Sequence, residues 1–229
     1  MLTASPLLGP ATWVPVADEL SRRGQRVTVA ACDGPVGTPQ DVLDQLLRQV
    51  SDETEVVLVP HSNSGLYVAA LAEQLPVVAV VFVDAGLPSP AEQTPTAPEG
   101  MVDDLAGLAD QHGLLPPWTR WWPEPSVEAL FPDAESRAAV ERQQRRLPVD
   151  YFRSTVPTPP GWERLPAAYL AFGDTYAPER EEARRRGWPV ETLPGGHLHQ
   201  LVAPAVVADA VERLLQEATG AARTTGTVD

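Results

Sequence analysis

The 229-residue chain contains no lysine, so all 17 of its basic residues are arginine. That absence excludes a P-loop lysine, a Schiff-base lysine and covalent attachment of pyridoxal phosphate. Isoleucine is missing too and asparagine occurs once, as Asn63; both fit GC-biased codon usage. The single cysteine, Cys32, rules out an internal disulfide framework and a multi-cysteine zinc site, and it is expected in the core. No apolar run approaches the roughly 18–20 residues that span a bilayer, and the first residues lack a basic-then-apolar leader pattern, so a cytoplasmic protein is expected. Basic side chains are outnumbered 31 to 17, for a formal charge of −14. Such a field repels phosphate backbones and anionic membranes, so neither nucleic acid nor a membrane is expected as partner.

What is present is 43% hydrophobic content, enough for one domain with a full core. Helix and strand periods alternate from the start. TWVPVADELSRRG sets Trp13, Val16, Ala17 and Leu20 on one helical face, RVTVAA (26–31) reads as a strand, and QDVLDQLLRQV is a second amphipathic helix. EVVLV (55–59) and VVAVVFV (77–83) are too continuously apolar for half-exposed strands and suit a parallel sheet covered on both faces. From Pro88 to Pro166 the rhythm breaks, with 14 of the 25 prolines and the cluster Trp118, Trp121 and Trp122. This is an insertion, with helices expected at 101–113 and 133–147. AAYLAF (167–172), PEREEARRRG, PVETL (189–193) and PAVVADAVERLLQEA (204–218) then restore the α/β pattern. A polar tail from Thr219 is expected to be disordered. The expected division is a core of 1–87 and 161–218 with a cap of 88–160.

Parallel α/β sheets carry ligands at the C-terminal ends of their strands. Ser62, Asp84, Asp174 and His197 each follow an expected strand, so one rim can gather a nucleophile, a base and an orienting acid. Singly, each has a plain structural reading: Ser62 as a turn residue or cap, Asp84 as a turn former, Asp174 as a solvated loop carboxylate. His197 and His199 form an H-x-H pair, but only His61 and His112 remain as histidines, so no metal is expected. His199 reads as the start of a helix.

The order serine, aspartate, histidine and the elbow-like PHSNSG (60–65) resemble the α/β-hydrolase superfamily, whose fingerprint is strand, G-x-S-x-G, helix, then acid, then histidine. Pro60 and Ser64 stand where the family has glycines. The resemblance implies an α/β fold of about six mostly parallel strands, helices on both faces and a helical cap. It places Ser62 as nucleophile, His197 in LPGGHLHQ as base, and Asp174 in GDTYAP (173–178) as acid, with Asp84 as the alternative.

An oxyanion hole in this family takes one backbone N–H from the residue after the nucleophile, here Asn63, and one from the loop after the first core strand. In ASPLLGPATW (4–13) the usual donor position falls on Pro6, which has no N–H, leaving Leu7. The implied activity is acyl transfer on an ester or thioester of a small hydrophobic molecule, without a cofactor, in a pocket lined by Trp118, Trp121 and Trp122. Two alternatives stay open: a lyase or cyclase using the Ser–His pair as acid and base, and a non-catalytic binding protein.

Overall fold

The computed structural model describes residues 1–50, 54–98 and 100–225. Along the chain, β1 (Leu2–Thr3) leads to α1 (Val14–Arg22), β2 (Val29–Ala30) to α2 (Pro39–Leu47), and β3 (Val56–Ser62) through a 3-10 turn (Asn63–Tyr67) to α3 (Val68–Gln74) and β4 (Val77–Ala85). The insertion holds β5 (Gln93–Pro95), the short helices α4 (Met101–Ala106), α5 (Glu124–Glu128), α6 (Ala134–Glu141) and α7 (Val149–Phe152), and β6 (Thr155–Pro157). The core resumes with β7 (Ala167–Phe172), α8 (Ala177–Arg185), β8 (Val190–Leu193), α9 (His199–Val202) and α10 (Pro204–Thr225).

Six strands form one parallel sheet in the order β2-β1-β3-β4-β7-β8. Alternation along β4 explains its unbroken apolar run: Val81 and Val83 enter one core and Val80 and Phe82 the other. On the first face lie Trp13, Val16 and Leu20 with Val207, Val211 and Leu214 of α10. On the second lie Val42 and Leu46 of α2, Leu71 of α3, and much of the cap. Each fully buried side chain of this size contributes about 1.5–3 kcal/mol. Central strands β3 and β4 are thereby fixed on both faces, and their C-terminal ends carry the site.

Two expectations need correction. The insertion is not helical throughout, because β5 and β6 pair antiparallel, Thr94 opposite Val156, as a clasp between its two ends. Its helices are also shorter than their periodicity, ending at Ala106 and Glu141. The polar tail does not begin at Thr219: α10 continues to Thr225, since the run after Ala218 lacks proline and the Thr219 hydroxyl donates back to the Leu215 carbonyl at 2.8 Å. The last expected tail residues, 226–229, lie outside the described residues. Among the described residues no helix is long and apolar enough to cross a membrane.

Candidate active site

β3 ends at Ser62, where the backbone turns sharply at φ 60°, ψ −132°. A serine in such a conformation costs on the order of 1–3 kcal/mol and persists only where its surroundings hold it. The hold comes from the following turn, which presses on the end of β4. A Cβ on Gly65 would sit 2.1 Å from the Gly86 carbonyl oxygen, so the residue that must be glycine is Gly65, one place after Ser64. Ser64 instead ties the turn together: its hydroxyl accepts the His61 N–H at 3.0 Å and lies 2.8 Å from the carbonyls of both His61 and Thr3.

Strand β4 delivers a buried carboxylate to the site. Asp84 is fully buried, with φ 40°. Its Oδ1 accepts the Phe172 N–H at 3.0 Å, and its Oδ2 accepts the His197 Nδ1–H at 2.6 Å. With Nδ1 committed as donor, Nε2 of His197 is the nitrogen free to take a proton. His61 supports this ring from behind, stacked at 4.5 Å between centroids and donating from Nε2 to the His197 carbonyl at 2.9 Å. Burial pushes the His61 pKa well below its ordinary value, which keeps this support neutral.

Asp174, expected as the acid, does not contact His197. Its carboxylate pairs with Arg180 at 3.0 Å and is 86% exposed. The reason is local: Gly173 takes φ 64° and its carbonyl accepts Arg180 Nη1 at 2.7 Å, which turns Asp174 outward. The same turn brings Tyr176 inward, its hydroxyl 3.4 Å from Ser62 Oγ and its ring 5.6 Å from that of His197. Burial raises the Tyr176 pKa, so the phenol stays protonated. Among the described residues Ser62 has no hydrogen bond to His197, which is common before substrate binds.

Ser62, Asn63, Tyr176 and His197 open into one cavity of about 540 Å³, with Leu7, Trp118, Trp121 and Trp122 also in its wall. All three indoles expected at the pocket are therefore there, and Trp118 lies 5.8 Å from His197. Asn63 begins the 3-10 turn, so its backbone N–H is one of the orphan donors at a helical start. Its side chain braces the cap: Nδ2 donates to the Thr96 carbonyl at 3.0 Å, and Oδ1 accepts from Tyr151, which accepts from Tyr67. His199 starts α9, as expected, and packs on Phe172, away from His197.

Sequence reasoning missed Tyr176, although an aromatic hydroxyl two residues after Asp174 was the available signal. Thr96 and Tyr151 carried none, lying far from Asn63 in the chain.

The six-stranded parallel sheet, with these residues at its C-terminal rim, is an α/β-hydrolase fold, and the chain matches the model of the alpha/beta hydrolase family over residues 6–210. The protein belongs to that family. Its fold is similar to that of an extracellular α/β-hydrolase from a Paenibacillus species (TM-score 0.72, 18% identity, 93% of this chain and 97% of the other). It is similar as well to polyneuridine aldehyde esterase (TM-score 0.64, 16%, 93% and 97%) and to a pyrethroid hydrolase (TM-score 0.66, 20%, 94% and 96%). Among curated proteins none matches the sequence.

Proposed function

We propose that the protein is a serine hydrolase that cleaves an ester or thioester of a small hydrophobic molecule. One observation carries the reading: a strained Ser62 shares a cavity wall with a histidine whose Nδ1 is held by a buried carboxylate. In this reading Ser62 Oγ attacks the acyl carbon as its proton passes to His197 Nε2, and Asp84 stabilises the imidazolium that forms. The acyl–oxygen or acyl–sulfur bond then breaks, and the leaving group departs with that proton. Water, deprotonated by the same nitrogen, releases the acid and restores Ser62. The apolar wall of Trp118, Trp121 and Trp122 suits a hydrophobic acyl or alcohol part, and the esterase and hydrolase named above share the fold.

Turnover of short- and medium-chain acyl esters and thioesters tests the proposal. The parent should hydrolyse a member of the series, and Ser62→Ala should reduce the rate by on the order of 10³ or more. Equal turnover by Ser62→Ala would reduce Ser62 to a turn residue. A folded parent inert toward the whole series would favour the lyase or cyclase alternative, which the irregular oxyanion loop makes the next candidate.

A further inference from the structure

The loop after β1 is a poor source of amide donors. Pro6 has none. The Leu8 and Gly9 N–H groups both close back on the Ser5 carbonyl at 3.1 Å, and the Leu7 N–H is turned toward Ser5 Oγ at 3.4 Å. The Asn63 N–H at the start of the 3-10 turn thus remains as the backbone donor for an oxyanion on Ser62, where acyl transfer ordinarily uses two donors.

Building on the acyl-transfer reading above, we infer that the Tyr176 hydroxyl is the second donor to the oxyanion. The oxyanion is bonded to the same carbon as Ser62 Oγ, so a group serving it stands close to Oγ, and Tyr176 Oη lies 3.4 Å from that atom. Tyr176 is positioned rather than mobile. It precedes α8, its carbonyl accepts the Arg180 N–H at 3.0 Å, and the Ala177 N–H closes the turn on the Asp174 carbonyl at 3.2 Å. Tyr176 lines the cavity together with Ser62 and His197. Protonation is secured by burial and by the nearby Asp84 carboxylate, both of which disfavour the phenolate. When substrate arrives, Ser62 turns its proton to His197, and the Tyr176 O–H is released to the acyl oxygen. The loop that elsewhere in the family supplies the acid here supplies an oxyanion donor.

The test compares Tyr176→Phe with the parent in two assays: hydrolysis of esters that share one acyl group but differ in leaving-group acidity, and the rate at which an alkyl fluorophosphonate inactivates Ser62. The expected result is a kcat lower by about 10²–10³, the usual loss for one oxyanion donor. KM should be little changed, the factor should be the same for every leaving group, and phosphonylation should slow in parallel. Ser5→Ala, which releases the Leu7 N–H, should restore part of that loss in the Tyr176→Phe background. Unchanged kcat and phosphonylation would overturn the inference and leave Tyr176 a partner of the unliganded serine. A loss growing with leaving-group pKa would overturn it too, assigning the phenol to leaving-group protonation. A parent that the phosphonate does not modify at Ser62 would instead sink the acyl-transfer reading itself.

Discussion

At the scale of single residues, the two aspartates separate orientation from chain order. Asp84 and Asp174 both follow strands, and chain spacing alone cannot tell which carboxylate turns inward. Backbone geometry decides: positive φ at Asp84 points it under His197, whereas Gly173 and Arg180 draw Asp174 to solvent. Asp84→Asn should therefore lower kcat by on the order of 10⁴, because the amide no longer fixes the Nδ1–H tautomer. Asp174→Asn should leave kcat within about twofold, since an exposed pair with Arg180 contributes little. Steady-state kinetics on both variants measure this, and the reverse order of effects would return the acid to Asp174.

At the scale of elements, the elbow and the cap are joined through Asn63. A codon-biased chain keeps its one asparagine where an amide can donate to Thr96 and accept from Tyr151 at once. Neither leucine nor aspartate offers that pairing. Asn63→Ala leaves a buried hydroxyl and a buried carbonyl short of a partner, which costs about 1–3 kcal/mol. The backbone N–H remains, so kcat should fall by less than the roughly 10² lost with an oxyanion donor. Urea unfolding with parallel kinetics would show it, and undiminished stability would mean that the cap does not lean on the elbow.

The legible elements were those with sustained periodicity, such as the Val77–Ala85 run and the Val14–Arg22 helix. The clasp of β5 and β6 was not legible, because three-residue strands that each contain a proline leave no alternation to read. That Ser62 and His197 share one cavity wall was legible from their placement after strands. Which of Asp84 and Asp174 turns inward, and that Tyr176 does, was not, because these depend on how single loops turn.

At the scale of the whole molecule, pH acts through the fully buried His61 and the half-buried His199. Burial depresses the pKa of both His61 and His199 below the ordinary value near 6.5. Below that value the unfolded chain binds protons that the folded chain refuses, so stability is fully present above about pH 6.5 and falls as pH drops through it. Each such group contributes at most about 1.4 kcal/mol per pH unit. Urea midpoints should hold steady from pH 8 to 7 and decline from 6.5 to 5.5; a flat profile would mean that His61 is not kept neutral.

One cavity at the edge of the sheet gathers residues from the end of β3, the segment after β4, the loop before α8 and the loop before α9, and its proposed work is acyl transfer through Ser62. The most direct measurement is covalent: acid-quenched enzyme, mixed with a medium-chain 4-nitrophenyl ester, is digested and its peptides are weighed. The expected result is one acyl group on the peptide carrying Ser62, absent from Ser62→Ala. Continued ester hydrolysis with no adduct on that peptide, persisting in Ser62→Ala, would contradict it.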